Sequence, residues 1–311
     1  MNTLALCIPA YNAAEYLPRL LQSAKDQAIP FDEILVYNDC STDNTEKVAK
    51  KYGAKVINGF INKGCSFGKN QLVNYSTCNW IHFHDADDEL LPNFTTLAHK
   101  WMSNPDCPDI VLFDYEYRDY NTNKLINTRQ FDKHSLKKDP IAYAILEQIN
   151  PFCGLYKKER FLIAGGYDTD PAVLYNEDVA FHIKMAINGC SFSAEHELSI
   201  INYRLNNSMS VSNAEKCARA QFHVLKKTAD IRPDYKYQIT FRLWSIIATL
   251  AACEDWIYVE KALHLSKKLG YRYSINDNKS FKVMTMLHPY FAVWFREKTI
   301  RLFKSHLRNN A

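Results

Sequence analysis

The sequence lacks any stretch of about 18 uncharged apolar residues, the length a membrane-crossing helix needs. Its start, "MNTLALCIPAYN", lacks a basic n-region, and the apolar run there is too short for a secretory signal. There is no C-x-x-C pair. The nine cysteines stand singly, which supports neither zinc-ligand spacing nor a disulfide framework and leads to the expectation of a reducing, cytoplasmic compartment. No Gly-rich phosphate loop follows the first apolar run, which argues against a nucleotidyltransferase. Strong charge of one sign is also missing: 38 basic against 34 acidic residues give a net charge of +4, too mild to indicate nucleic acid as a partner. What is there is an ordinary globular composition, 47% hydrophobic and 23% charged over 311 residues, enough for one large domain plus an appendage or a second small domain.

From the start to about residue 117, short apolar runs alternate with helical patterns. "TLALCIP" precedes "AAEYLPRLLQSAKDQ", where Tyr16, Leu17, Leu20, Leu21 and Ala24 recur at helical spacing. "DEILVYND" precedes "STDNTEKVAKKYG", which begins with cap-type residues and ends on Gly53. "AKVI", "NWIHFH" and "DIVLFDYEY" are further strands, with helices in "GKNQLVNYS" and in "PNFTTLAHKWMS", opened by Pro92. This alternation predicts an α/β fold, a mostly parallel Rossmann-like sheet flanked by helices. In such sheets ligands bind beyond the carboxyl ends of the strands, where Asn12, Asp39 and Asp85 stand. Residues 118–150 are weakly patterned. "NEDVAFHIKMAING" reads as a helix closed by Gly189, and from about residue 214 the chain looks helical.

"HFHDADDELL" runs an apolar strand into Asp85, Asp87 and Asp88. Acids this close repel one another. The stretch is either a solvated turn or a site for a hard cation such as Mn²⁺ or Mg²⁺, which shares its oxygen shell with phosphates. In that second reading the ion would neutralise a diphosphate leaving group.

Taken in order, the pieces resemble the inverting glycosyltransferases of family 2, with the GT-A type nucleotide-sugar fold. "IPAYNAAEYLPRLLQSAKDQ" looks like that family's opening strand and helix, and "DEILVYNDCSTDNT" is similar to its second-strand signature. "NKGCSFGKNQLVN" resembles its N-x-G-x-x-x-A-R-N segment, and "WIHFHDADDELLPN" its D-x-D motif. "GGYD" with "NEDVAFHIKMAINGC", and then "YRLNNSMS", resemble its later segments. The resemblance covers roughly residues 1–213 and implies a catalytic domain there, with a nucleotide-binding half at 1–117, an acceptor half at 118–213, and a helical region at 214–311. It implies that Pro9, Tyr11 and Asn12 line the nucleotide pocket, with Glu15 near the ribose or base. Asp39 would hold the base, and Lys69 would approach the diphosphate or base. Asp85 would bind the ribose or a metal-bound water, Asp87 would ligate the metal, and Asp178 would be the catalytic base with Glu177 beside it. The implied activity is metal-dependent transfer of a sugar from a nucleotide-diphosphate donor, UDP-linked by preference, to a glycan or lipid-linked glycan in bacterial surface-polysaccharide assembly. Two rivals are a non-catalytic nucleotide-sugar-binding scaffold of the same fold and a glycoside hydrolase, which would not need Asp39.

The sequence departs from the family pattern at several positions. Asn38 stands where Asp is frequent, and Cys40 where Gly is frequent, which implies that the turn needs no positive φ. Asn206 replaces a frequent His, and His84 a frequent Leu; a partnered strand-end histidine is the reading preferred for His84. Trp80 and Tyr75 read as core. In the tail, Val293, Ile300, Phe303 and Leu307 share a helical face beside Arg301, Lys304 and Arg308. That face would either lie on an anionic membrane surface, making the protein peripheral there, or pack on the domain.

Overall fold

A computed structural model describes residues 2–204, 213–271, 273–274, 277–304, 306 and 308. Asn206 and Leu307 lie outside the described residues.

The apolar runs are strands. β1 (Leu4–Ala10), β2 (Glu33–Asn38), β3 (Lys55–Asn58) and β4 (Trp80–Phe83) lie parallel in the order β3-β2-β1-β4. β1 and β4 are buried almost throughout, as strands covered on both faces must be. Between them run α1 (Leu17–Lys25), α2 (Thr45–Lys51) and α3 (Cys65–Tyr75). α1 buries Leu17, Leu20, Leu21 and Ala24, the face its spacing predicts.

The sheet continues through β5 (Glu89–Leu90), β6 (Ile110–Asp119), β7 (Leu125–Arg129), β8 (Gly154–Lys157) and β9 (Phe192–Arg204). Its full order is β3-β2-β1-β4-β8-β6-β9-β5, with β7 paired to β6. β8 runs antiparallel to both β4 and β6, so β4 and β6 point the same way, and β9 is parallel to β6. Six of the nine strands (β1, β2, β3, β4, β6, β9) therefore share one direction. α4 (Phe94–Met102) follows Pro92, which lies ahead of the cap residue Asn93 rather than inside the helix. The weakly patterned stretch 118–150 holds the β6–β7 hairpin, α5 (Lys133–Lys138) and α6 (Pro140–Leu146). Trp80 is buried, but Tyr75 is half exposed and does not belong to the core.

The remaining helices are α7 (Lys158–Ile163), α8 (Glu177–Ile187), α9 (Ala214–Ile231), α10 (Lys236–Ala252), α11 (Trp256–Lys268), α12 (Lys279–Leu287) and α13 (Pro289–Phe303). The chain forms two compact units. The first comprises residues 1–141, 149–169 and 181–206, and the second 142–148, 170–180 and 207–311. The first holds the sheet and an aromatic cluster in which the Tyr167 and Phe181 rings stack at 4.1 Å. In the second, α10 packs against α9 and α11 through Ile239, Leu243, Ile247 and Leu250. Asp255 caps α11, accepting from the Tyr258 N–H at 3.2 Å and from Arg219 Nε at 2.6 Å. No helix among the described residues is long and apolar enough to cross a membrane.

The tail helix differs from its sequence reading. Val293 is fully buried, Ile300 is partly buried and Phe303 is exposed, so these residues do not form one outward face. Arg301 and Arg308 are not a solvated stripe either. Both donate to the buried Glu297, at 3.0 and 2.8 Å, and Arg301 also reaches the Ala252 carbonyl at 2.7 Å.

Candidate active site

The loop that follows β1 is knitted to the loop that follows β2. Asn12 donates its backbone N–H to Ser41 Oγ at 3.0 Å, and its side-chain oxygen accepts from the Thr42 N–H at 2.8 Å. The Ala13 and Ala14 N–H groups donate to Thr45 Oγ1 (2.8 Å) and Asp43 Oδ2 (3.0 Å). Ser41, Asp43 and Thr45 thus hold this loop, a role the sequence reading missed although "STDNT" was in view. Asn12 spends its side chain on the same purpose. Tyr11 is 52% exposed at the loop's tip, Glu15 is exposed, and Pro9 lies half-buried at the end of β1. Cys40 has φ 61°, so the turn after β2 does require a positive φ. The expectation drawn from its missing glycine is corrected here: the conformation is kept by the Cys40 N–H bonding the Asn38 carbonyl and by Asn38 Oδ1 accepting from Ser41.

Asp39 closes β2. Its carboxylate is 5% exposed and accepts from the Lys63 N–H at 2.9 Å and the Gly64 N–H at 2.7 Å, at the start of α3. Lys69, in α3, is buried with its ammonium 4.9 Å from the Tyr167 ring. The next residue, Asn70, clamps the Gly165–Gly166 turn, accepting from the Tyr167 N–H at 2.8 Å and donating to the Tyr167 carbonyl at 3.0 Å. A side chain at Gly166 would place its Cβ 2.4 Å from Asn70 Oδ1, so the clamp and the glycine require each other.

At the end of β4, His82 and His84 are fully buried and bonded to each other, His82 Nε2 to His84 Nδ1 at 3.0 Å. His82 Nδ1 also meets the Gly154 carbonyl at 2.9 Å. A carbonyl only accepts, so a neutral His82 donates from Nδ1 and accepts at Nε2, and His84 donates from Nδ1. Burial pushes His82 down to about 3 and His84 well below the ordinary imidazole value, so the pair is neutral. His84 is therefore the partnered strand-end histidine expected.

Beyond it, Asp85 and Asp87 are half-buried and Asp88 is fully buried. Asp88 ties this loop to β9, accepting from Asn202 Nδ2 at 2.7 Å and the Tyr203 N–H at 2.8 Å. Burial, and then the charges of Asp87 and Asp85, raise its carboxyl well above the usual range. Burial raises Asp87 as well, with Arg19 pulling the other way. The Arg19 guanidinium packs against both the Tyr120 and Tyr203 rings, at 4.6 and 4.2 Å, and its buried Nη1 has no hydrogen-bond acceptor among the described residues. Asp88 and Arg19 went unassigned in the sequence because their partners lie a hundred residues or more away.

Sparingly hydrated acids crowded at a strand end suit a hard divalent ion. Among the described residues no three His, Cys, Asp or Glu form a complete cage, but Mg²⁺ and Mn²⁺ commonly take one or two carboxylates and complete their shell with substrate phosphates. Asp87 and Asp85 fit that donor set.

Glu177 and Asp178 form the first turn of α8, in the second unit, both half-buried. Tyr175, just ahead, holds φ 75°, an unusual conformation for an aromatic residue, with Lys216 5.4 Å from its ring.

The family model described as "Glycosyl transferase family 2" matches residues 5–160, half of the chain and every strand that bears the acids above. The chain belongs to glycosyl transferase family 2. This glycosyltransferase is 27% identical over 154 residues to an uncharacterized glycosyltransferase of Rickettsia typhi, covering 49% of this chain and 48% of that one. It is 36% identical over 100 residues to the chondroitin synthase of Pasteurella multocida, covering 31% of this chain and 10% of the synthase. The matched stretches thus span less than half the length of these relatives. Among solved structures, S. aureus TarS residues 1–349 in complex with UDP-GlcNAc aligns with a TM-score of 0.62 at 16% identity, covering 96% of this chain and 83% of that one. The mannosyltransferase PcManGT from Pyrobaculum calidifontis, in complex with GDP-Man and Mn²⁺, aligns at 0.54 and 15% identity, covering 97% and 87%. At these identities the likeness concerns the fold, and the glycosyltransferase has the GT-A type fold expected from its sequence.

Proposed function

We propose that this glycosyltransferase moves one hexosyl group from a UDP-linked donor to a hydroxyl of a glycan or lipid-linked oligosaccharide, with inversion at the anomeric carbon. The setting is bacterial surface-polysaccharide assembly, in the cytoplasm. The observation that carries the reading is that Asp39 and the Asp85–Asp88 loop lie beyond the carboxyl ends of β2 and β4, the two parallel strands that flank β1, where open α/β sheets bind their ligands. The TarS structures in complex with UDP and with UDP-GlcNAc favour a UDP donor, and the chondroitin and hyaluronan synthases among the relatives favour a glycan acceptor.

In this reading Pro9, Tyr11, Asn12 and Glu15 border the nucleoside. Asp39 offers its remaining lone pairs to the base, and Lys69 supplies positive charge toward the diphosphate. Asp87, with Asp85 alongside, would hold Mn²⁺ or Mg²⁺, which when bound neutralises charge on the leaving diphosphate. Asp178 accepts the acceptor hydroxyl's proton as that oxygen bonds the anomeric carbon, while the bond to the β-phosphate breaks and the diphosphate leaves with its electron pair. Glu177 orients the acceptor. Turnover of a UDP-sugar panel with glycan acceptors, read by NMR of the product anomer, tests this. The expected result is an inverted product and a kcat reduced about a hundredfold or more in Asp178→Asn, with UDP binding kept. A retained anomer, or full turnover by the variant, would overturn it.

A further inference from the structure

The helix α13 has two faces that the sequence pattern alone mixes. The inward one carries Ala292, Val293 and Glu297, all buried. The outward one carries Phe291, Trp294, Phe295, Lys298 and Leu302, at i, i+3, i+4, i+7 and i+11. The Phe291 ring stacks on those of Trp294 and Phe295 at 5.9 Å each, so a preformed aromatic wedge stands in solvent. Leu287 at the end of α12 and Leu302 are 82% and 77% exposed. Large apolar side chains exposed together on one helix face mark an interaction surface.

Its charge is of one sign. Between residues 278 and 304 the single acid is Glu297, which is buried and engaged by Arg301 and Arg308. Lys279, Lys298 and Lys304 are exposed, and Lys282 is half-buried. Lys298 stands within the apolar face, where a long stem can lie on the hydrocarbon while its ammonium reaches phosphate. Tryptophan, phenylalanine and leucine with flanking lysines make up an interfacial surface. A second copy of the chain fits less well, because two-fold self-pairing of this face would set Lys298 against its own symmetry mate.

We propose that the outward face of α12 and α13 docks on an anionic bilayer surface, with Phe291, Trp294, Phe295 and Leu302 entering the headgroup region and Lys298 and Lys304 meeting lipid phosphates. This surface differs from the one indicated by the sequence, and it does not depend on the reaction catalysed.

The experiment is flotation of the full chain with phosphatidylglycerol-containing vesicles and with phosphatidylcholine alone, at low salt. The readouts are the bound fraction and a Trp294-dependent fluorescence blue shift, identified by comparison with Trp294→Phe. The expected result is binding to the anionic vesicles only. Phe291→Ser combined with Leu302→Ser should abolish it. Lys298→Ala combined with Lys304→Ala should weaken partitioning roughly thirtyfold, since each lysine near such a surface contributes about 1 kcal/mol. Both double variants alter exposed side chains and should keep the wild-type thermal midpoint. Wild-type protein that ignores anionic vesicles, or lysine variants that bind them as well as wild type does, would overturn the proposal. So would a concentration-dependent dimer abolished by the serine variants without vesicle binding, which would assign the face to a second copy.

Discussion

Replacing Asp39 by Asn changes one atom and should still be costly without any donor present. Both carboxylate oxygens are occupied, one by the Lys63 N–H at 2.9 Å and the other by the Gly64 N–H at 2.7 Å, in a site 5% exposed. Asn retains one acceptor and turns an NH₂ group toward the other N–H. The change removes one hydrogen bond to a charged group, a loss of about 1.5–3 kcal/mol, and leaves a buried donor facing a donor. The expected fall in the thermal midpoint is roughly 2–5 °C for a chain of this size. A carboxylate has about four acceptor positions, so the same group can also meet a nucleobase, and the variant should lose UDP affinity as well. The assay is thermal unfolding followed by circular dichroism, with and without UDP. An unchanged midpoint in the ligand-free variant would refute the reasoning, because it would mean that Asp39 is not spent on the start of α3.

Two further perturbations follow from local geometry. Cys40→Gly should stabilise the protein by about 1 kcal/mol, because a non-glycine residue at φ 61° bears a left-handed penalty of about 1–2 kcal/mol that glycine avoids, less glycine's greater unfolded-state entropy; an unchanged or lower denaturation midpoint would count against it. Asp109 is half-buried, which raises its carboxyl, but hydrogen bonds from Ser191 and the hydrogen bond and charge of Lys157 outweigh this and hold it below the usual range. A depressed folded-state pKa contributes stability above the unfolded value, near about 4, and loses it as pH falls through the folded value. Asp109→Asn should therefore be less stable than wild type at neutral pH, with the gap closing in acid, and a gap independent of pH in denaturant titrations would contradict this.

What could be read from the sequence was what is encoded locally. The strands β1, β2 and β4 are apolar runs bounded by polar turns, α1 carries its buried face at helical spacing, and Gly53 and Gly189 mark the ends of α2 and α8, where both adopt positive φ. What escaped depends on partners far along the chain. β8 is four residues long, and nothing in "GLYK" signals that it will run antiparallel between β4 and β6. Asp88 reads as one more acid in a cluster until β9 supplies Asn202 and the Tyr203 amide. The tail showed an amphipathic pattern but not which side turns inward, because Glu297 draws Arg301 and Arg308 toward the core and leaves the aromatic side outside. Cys40 was misjudged on residue type, whereas hydrogen bonds around Asn38 decide its conformation.

The central claim is that the Asp85–Asp88 loop serves a nucleoside diphosphate together with a divalent ion. The most direct measurement is thermal stabilisation of wild type and Asp87→Asn by UDP, with Mn²⁺ and with chelator. The account predicts stabilisation of about 2.7 kcal/mol at a hundredfold excess over Kd, present in wild type with Mn²⁺ and lost with chelator or in Asp87→Asn. Equal stabilisation in all arms, or none in any, would contradict it.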